Sequence, residues 1–246
     1  MENRPIPDLY GFTNHMSRGE IIAAAIYLPI HVVGLPFGLA WLVGLIPALA
    51  QLSDTELNML YYGLGLVYVL IALRGFLRRS FDVALDHKGR LLLGALGGYA
   101  VNIGTSFVIS ALLLIFGLEL GMSPNNQAIM TEAAVDYRRM AVMVIVMAPV
   151  VEEPLFRGLL FGCIRPRSRV WAYVVSCLLF SLYHVWQYVL IYGDWRILIY
   201  CLLYLPASIG LAWAYDRSGS IWGAIILHGM VNGISLSVLS SGLLGY

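Results

Sequence analysis

Apolar runs of eighteen or more residues recur along this chain, and no other feature limits its fold as strongly. Inside hydrocarbon, only a helix or a closed barrel satisfies its own backbone donors and acceptors. Seven spans are expected, at roughly 21–50, 57–73, 91–118, 140–164, 170–192, 197–214 and 221–243. The first is too long for one straight crossing and too short for two. Pro29, Pro36 and Pro47 lie within it, so a kinked or partly re-entrant segment is expected. A hydrophobic content of 60% and a charged content of 12% exclude a soluble domain of this length. The expected fold is all-α: a polytopic transmembrane bundle of about seven to eight helices, kinked around a buried polar cavity. No linker or repeat divides it, so residues 1–246 are expected to form one membrane domain, with the motif-bearing part at about 140–243.

Lysine and arginine placement gives the orientation. With the N-terminus inside, the cytoplasmic segments hold Arg4, Arg18, Arg74, Arg78, Arg79, Lys88, Arg90, Arg165, Arg167, Arg169 and Arg217. The outer loops hold Arg138, Arg139 and Arg196. This bias implies a multi-pass protein of the cell membrane with a cytoplasmic N-terminus. It also accounts for the runs "RGFLRR" and "RPRSR" without lipid-specific recognition. A net charge of +1 gives no reason to expect nucleic acid as a partner. The first twenty residues are mostly polar and lack the apolar core of a cleaved signal peptide. Cys163, Cys177 and Cys201 have no metal-ligand spacing and read as small buried residues.

Sorted by this map, only Glu152, Glu153 and Arg157 are charged groups deep in a span, within "VVEEPLFRGLLFG". Each costs roughly 2.5–3.5 kcal/mol at a helix centre, so they need internal partners or a wet cavity. His184 in "FSLYHVW" and His228 with Asn232 in "HGMVN" join them. His31 is expected to have no polar neighbour at helical spacing and to make a structural contact only.

Glu153 and Arg157 are four apart, the order that favours an ion pair, while Glu152 projects about 100° round the helix. His228 and Asn232 share one face, as do Phe180 and His184. Pro149 and Pro154 bracket the acids and free backbone carbonyls, which suits a helix lining a polar cavity. Depths counted along straight helices put these groups in the cytoplasmic half or middle of the bilayer. They imply a cavity opening to the cytoplasm, with substrates entering from there or from the membrane. Gly94–Gly98 and Gly158–Gly162 are expected to let helices pack closely.

A carboxylate without a cation of its own in a poorly hydrated site is a competent general base. A histidine beside it can position the same water or carry a proton. His228 and Asn232 can donate to an oxyanion. These are the parts for amide hydrolysis without a covalent intermediate. No G-x-S-x-G, intramembrane aspartate pair or H-E-x-x-H offers a better nucleophile.

"EEPLFR", "FSLYH" and "HGMVN" also match, in order, the motifs E-E-x-x-x-R, F-x-x-x-H and H-x-x-x-N. Across residues 152–232 the chain resembles the CAAX-protease and bacteriocin-processing membrane proteases (the ABI family), which include the type II CAAX prenyl endopeptidase. The resemblance implies a glutamate intramembrane protease. Glu152 and His184 would activate water, His228 and Asn232 would hold the oxyanion, and Glu153, Arg157 and Phe180 would shape the site. It implies no cofactor or metal, and a membrane-associated protein or peptide as substrate, prenylated ones included.

Two other classes remain open. Two carboxylates and two histidines could ligate a metal, although Arg157 would stand beside it and no chelating pair at i,i+3 or i,i+4 is present. Alternatively, the buried polar groups serve a transporter or a non-catalytic immunity or binding protein.

Overall fold

The computed structural model describes residues 6–7 and 12–241. Arg4 and residues 242–243 of the expected last span lie outside the described residues. Nine helices account for nearly all of that length, beside a two-residue antiparallel pairing of β1 (Ile6–Pro7) with β2 (Thr13–Asn14).

The helices are α1 (Arg18–Leu45), α2 (Asp54–Ala72), α3 (Arg74–Asp86), α4 (Lys88–Ile115) and α5 (Pro124–Val135), then α6 (137–164), α7 (Arg169–Tyr192), α8 (Trp195–Ser218) and α9 (Ile221–Ser240). Six of them, α1, α2, α4, α7, α8 and α9, are long and apolar enough to cross a membrane. The fold is a polytopic helical bundle, and the protein is a multi-pass membrane protein. The first expected segment is a single kinked span rather than a span plus a re-entrant piece. The fourth expected span, 140–164, is α6, which is helical throughout but carries the three buried charges.

Hydrogen bonds fix the two ends of the bundle. At one end Ser220 Oγ donates to Ser80 O, and Arg165 Nε donates to Asp216 Oδ1. At the other, Asn58 Nδ2 donates to Glu132, and Arg139 pairs with Glu56. The basic segments at 74–90 and 165–169 occupy the first end, and α5 occupies the second.

Helix α6 runs through the middle. Every residue from Val151 to Leu159 is buried, among Phe76, Phe180, Leu211 and Tyr215. This encasement removes the need for an apolar surface on α6, which explains how its sequence tolerates charges. Exposed apolar side chains lie on the other spans, at residues such as Ile22, Trp41, Leu93, Phe107 and Leu190, and on the N-terminal part of α6 at Val142 and Val146.

The two glycine pairs pack as expected, but against different partners. A Cβ at Gly98 would stand 2.6 Å from the carbonyl oxygen of Gly210, so α4 and α8 touch backbone to backbone. Gly158 and Gly162 instead admit the N-terminal segment: Asn14 Nδ2 donates to Gly158 O at 3.1 Å, and Met16 covers the same glycine. Of the three cysteines only Cys177 is fully buried; Cys163 and Cys201 are half-buried.

The prolines act through π-helical turns, in which the N–H of residue i+5 bonds the carbonyl of residue i. In α6, Ala148 N–H bonds Met143 O in this register. The next donor would be Pro149, which has no N–H, so Val144 O is left over. Asn232 Nδ2 donates to it at 2.7 Å. The arrangement recurs in α1. Leu35 N–H bonds Ile30 O, Pro36 cannot bond His31 O, and the Tyr61 hydroxyl donates to that carbonyl at 3.0 Å.

Candidate active site

Helices α6, α7 and α9 bring the three motifs together. Arg157 is fully buried; its guanidinium donates to Glu153 Oε1 at 3.0 Å and to the carbonyl and hydroxyl of Ser208 at 3.1 and 2.9 Å. The expected pair is therefore present and also ties α6 to α8. Glu153 has a second partner that spacing could not reveal: His228 Nδ1 lies 2.7 Å from the same oxygen.

Each motif histidine has one ring nitrogen engaged. Helix α7 breaks at His184, whose backbone N–H turns to Ser181 O at 3.3 Å. That leaves Phe180 O for the ring, and His184 Nδ1 donates to it at 2.9 Å. Glu153 holds Nδ1 of His228 in the same way. Both Nε2 atoms then face Oε2 of Glu152, at 4.0 Å for His184 and 3.9 Å for His228. That oxygen is buried and has no hydrogen-bond partner among the described residues. Phe180 separates the ion pair from this group, with the Arg157 guanidinium 4.0 Å above its ring and the His184 ring 4.6 Å away.

The other carboxylate oxygen of Glu152 is held by a residue absent from the expected set. Tyr62 donates its hydroxyl to Oε1 at 2.8 Å. Behind it, Tyr62 and Tyr183 hydroxyls are 3.3 Å apart, Tyr183 and Tyr61 hydroxyls 3.0 Å, and Tyr61 stands 2.9 Å from Nε2 of His31. His31 thus lies in a buried network, contrary to expectation. Tyr27, one turn earlier in α1, is 3.5 Å from its Nδ1, and that i−4 spacing was the available signal.

Glu152, His184, His228 and Asn232 line a cavity of about 870 Å³. It reaches Asp54, Asn125, Glu132 and Tyr188, the α5 end of the bundle, and so lies away from the basic segments. This corrects the expected opening toward the arginine-rich end. Depth counting treated each span as a straight rod, whereas α6 winds through π turns, α7 breaks at His184, and α5 folds into the mouth. Burial pushes the Glu132 carboxyl above its ordinary value, with Asn58 donating to both of its oxygens.

Among the described residues, no three His, Cys, Asp or Glu side chains converge as metal ligands. The arrangement presents a carboxylate oxygen and two imidazole nitrogens around one small volume. A water bound there could reach all three.

Residues 135–234 match the sequence model of the family described as type II CAAX prenyl endopeptidase Rce1-like. The motif-bearing part of this chain is therefore similar to that family. The chain is also similar, at 25% identity over 170 residues, to the protein named "Putative membrane peptidase YdiL" of Bacillus subtilis (strain 168). That alignment covers 68% of this chain and 64% of the relative's length. No solved structure matches. The match encloses all three motifs, and α1 to α4 and all of α5 but Val135 fall outside it.

Proposed function

We propose that the protein is an intramembrane endopeptidase that hydrolyses a peptide bond in a membrane-associated protein or peptide, with water activated by Glu152. The observation that carries this reading is the buried Oε2 of Glu152, facing the Nε2 atoms of His184 and His228 at 4.0 and 3.9 Å on the cavity wall. The Rce1-like match and the name of the Bacillus relative support a peptidase.

In this mechanism a water held by Glu152 and His184 loses a proton to Glu152 as its oxygen attacks the scissile carbonyl carbon. The carbonyl oxygen takes up the electron pair. Asn232 keeps one amide hydrogen free of Val144 to donate to that oxyanion, and His228 donates when its Nε2 carries a proton. The proton on Glu152 then passes to the leaving nitrogen, directly or through His184, as the C–N bond breaks. Glu153 fixes the His228 ring, and Arg157 and Phe180 fix Glu153 and His184.

The test is cleavage by purified protein in detergent, with a strong chelator present throughout. Prenylated C-terminal peptides and short leader peptides serve as substrates. Wild type is expected to cut at least one class, and Glu152→Gln to cut none while melting at a similar temperature. If zinc were needed to restore activity, the metal reading would replace this one. A wild type inert toward every class would favour a binding or transport protein.

A further inference from the structure

The charges around the cavity define a substrate class, an inference that rests on the hydrolytic reading above. Three carboxylates line the cavity, Glu152 within it and Asp54 and Glu132 toward its mouth, and no lysine or arginine lines it among the described residues. The bundle end on which it opens carries Asp54, Glu56, Glu119, Glu132, Asp136 and Asp194 against Arg138, Arg139 and Arg196. Arg139 pairs with Glu56 and Asp136, and Arg196 with Asp194. Asp54 and Glu132 have no such cation among the described residues. They lie close enough to repel each other, and burial already disfavours the Glu132 charge. Deeper in, the unpartnered Oε2 of Glu152 is aimed at the same space. A cleft lined by one sign of charge between low-dielectric walls attracts the opposite sign and repels its own.

Two substrate chemistries then separate. A polypeptide cut close to its C-terminus would bring a free carboxylate to within about 10 Å of the scissile bond if three residues lie between them. That anion would meet three acids and no lysine or arginine. An internal or juxtamembrane stretch brings no terminal charge, and a lysine or arginine on it would offset the burial cost at Glu132. We propose that the cavity takes an internal segment of a polypeptide carrying a cationic side chain near the scissile bond, presented at the bundle end opposite the arginine-rich loops.

The experiment uses the full chain in detergent with internally quenched peptides of one apolar sequence. They differ only in lysine or glutamate near the centre and in a free or amidated C-terminus close to it. The amidated lysine peptide is expected to exceed the glutamate peptide in kcat/KM by about tenfold at low salt. The ratio should shrink at high salt, and also in Asp54→Asn and in Glu132→Gln made separately. Direct binding to Glu152→Gln, read by fluorescence anisotropy, should follow the same order. Equal turnover of the two peptides, or a requirement for the free carboxylate, would overturn the inference and leave the peptidase reading intact. Charge-selective binding without hydrolysis of any peptide by wild type would remove the peptidase reading and keep the ligand assignment.

Discussion

Tyr62 on α2 donates its hydroxyl to Oε1 of Glu152 at 2.8 Å, joining residues 135–234, which match the family model, to a helix outside that match. A hydrogen bond to a charged group contributes about 1.5–3 kcal/mol. If it holds Glu152 in the attacking geometry, Tyr62→Phe should lower kcat by roughly 10- to 100-fold with KM little changed. A purely structural tyrosine would show a lower melting temperature with kcat intact, so both quantities are measured together.

Arg157 should matter mainly for stability. Replacing it by Met strands Glu153 in a buried site, a change that costs about 3–5 kcal/mol. Adding Glu153→Gln removes the stranded charge and should recover part of the loss. Recovery stays incomplete, because Ser208 loses its guanidinium and His228 its carboxylate. Thermal melts in detergent of the two single variants and the double check this order. A fully stable Arg157→Met would contradict the assigned pairing.

Much of this arrangement was legible in the residues. The spans follow from apolar length, the Glu153–Arg157 pair from i,i+4 spacing, and the helix disruptions from Pro149 and Pro36. The tyrosines were not legible. Tyr61, Tyr62 and Tyr183 lie in apolar spans where nothing in local spacing says which neighbour they face; that depends on how α2 crosses α6 and α7. The second partner of Glu153 was hidden for the same reason, since His228 lies 75 residues away. The direction of the cavity failed because a sequence records the length of a helix but not its bends or the inward fold of α5.

Asn232 offers a cleaner separation of structure from chemistry. Asn232→Ala leaves Val144 O without a donor, a loss of about 1–3 kcal/mol, and should also lower cleavage. Adding Pro149→Ala returns a backbone N–H in register with that carbonyl. The double variant is expected to regain melting temperature without regaining activity. Recovery of both together would show that Asn232 acts only through the helix.

Orientation can be read by accessibility. Asp86 is exposed at the basic end, and Val135 is 83% exposed at the other. Cysteines placed there one at a time, on a background with Cys163, Cys177 and Cys201 replaced, are treated in intact cells with an impermeant maleimide. The arginine and lysine distribution predicts labelling at 135 and protection at 86. Labelling at 86 alone would invert the molecule and turn the cavity mouth to the cytoplasm.

The carbonyls left over by Pro36 and Pro149 also constrain how the protein is made. His31 O obtains its donor from Tyr61, 30 residues later in the chain, and Val144 O from Asn232, 88 residues later. Ribosomal synthesis delivers the acceptor first in both cases. Helices α1 and α6 therefore enter the bilayer with a polar group still uncapped, and only later helices complete them. Biogenesis of this bundle is an ordered closure, in which α9, the last of the nine described helices to leave the ribosome, completes the helix that bears the acids.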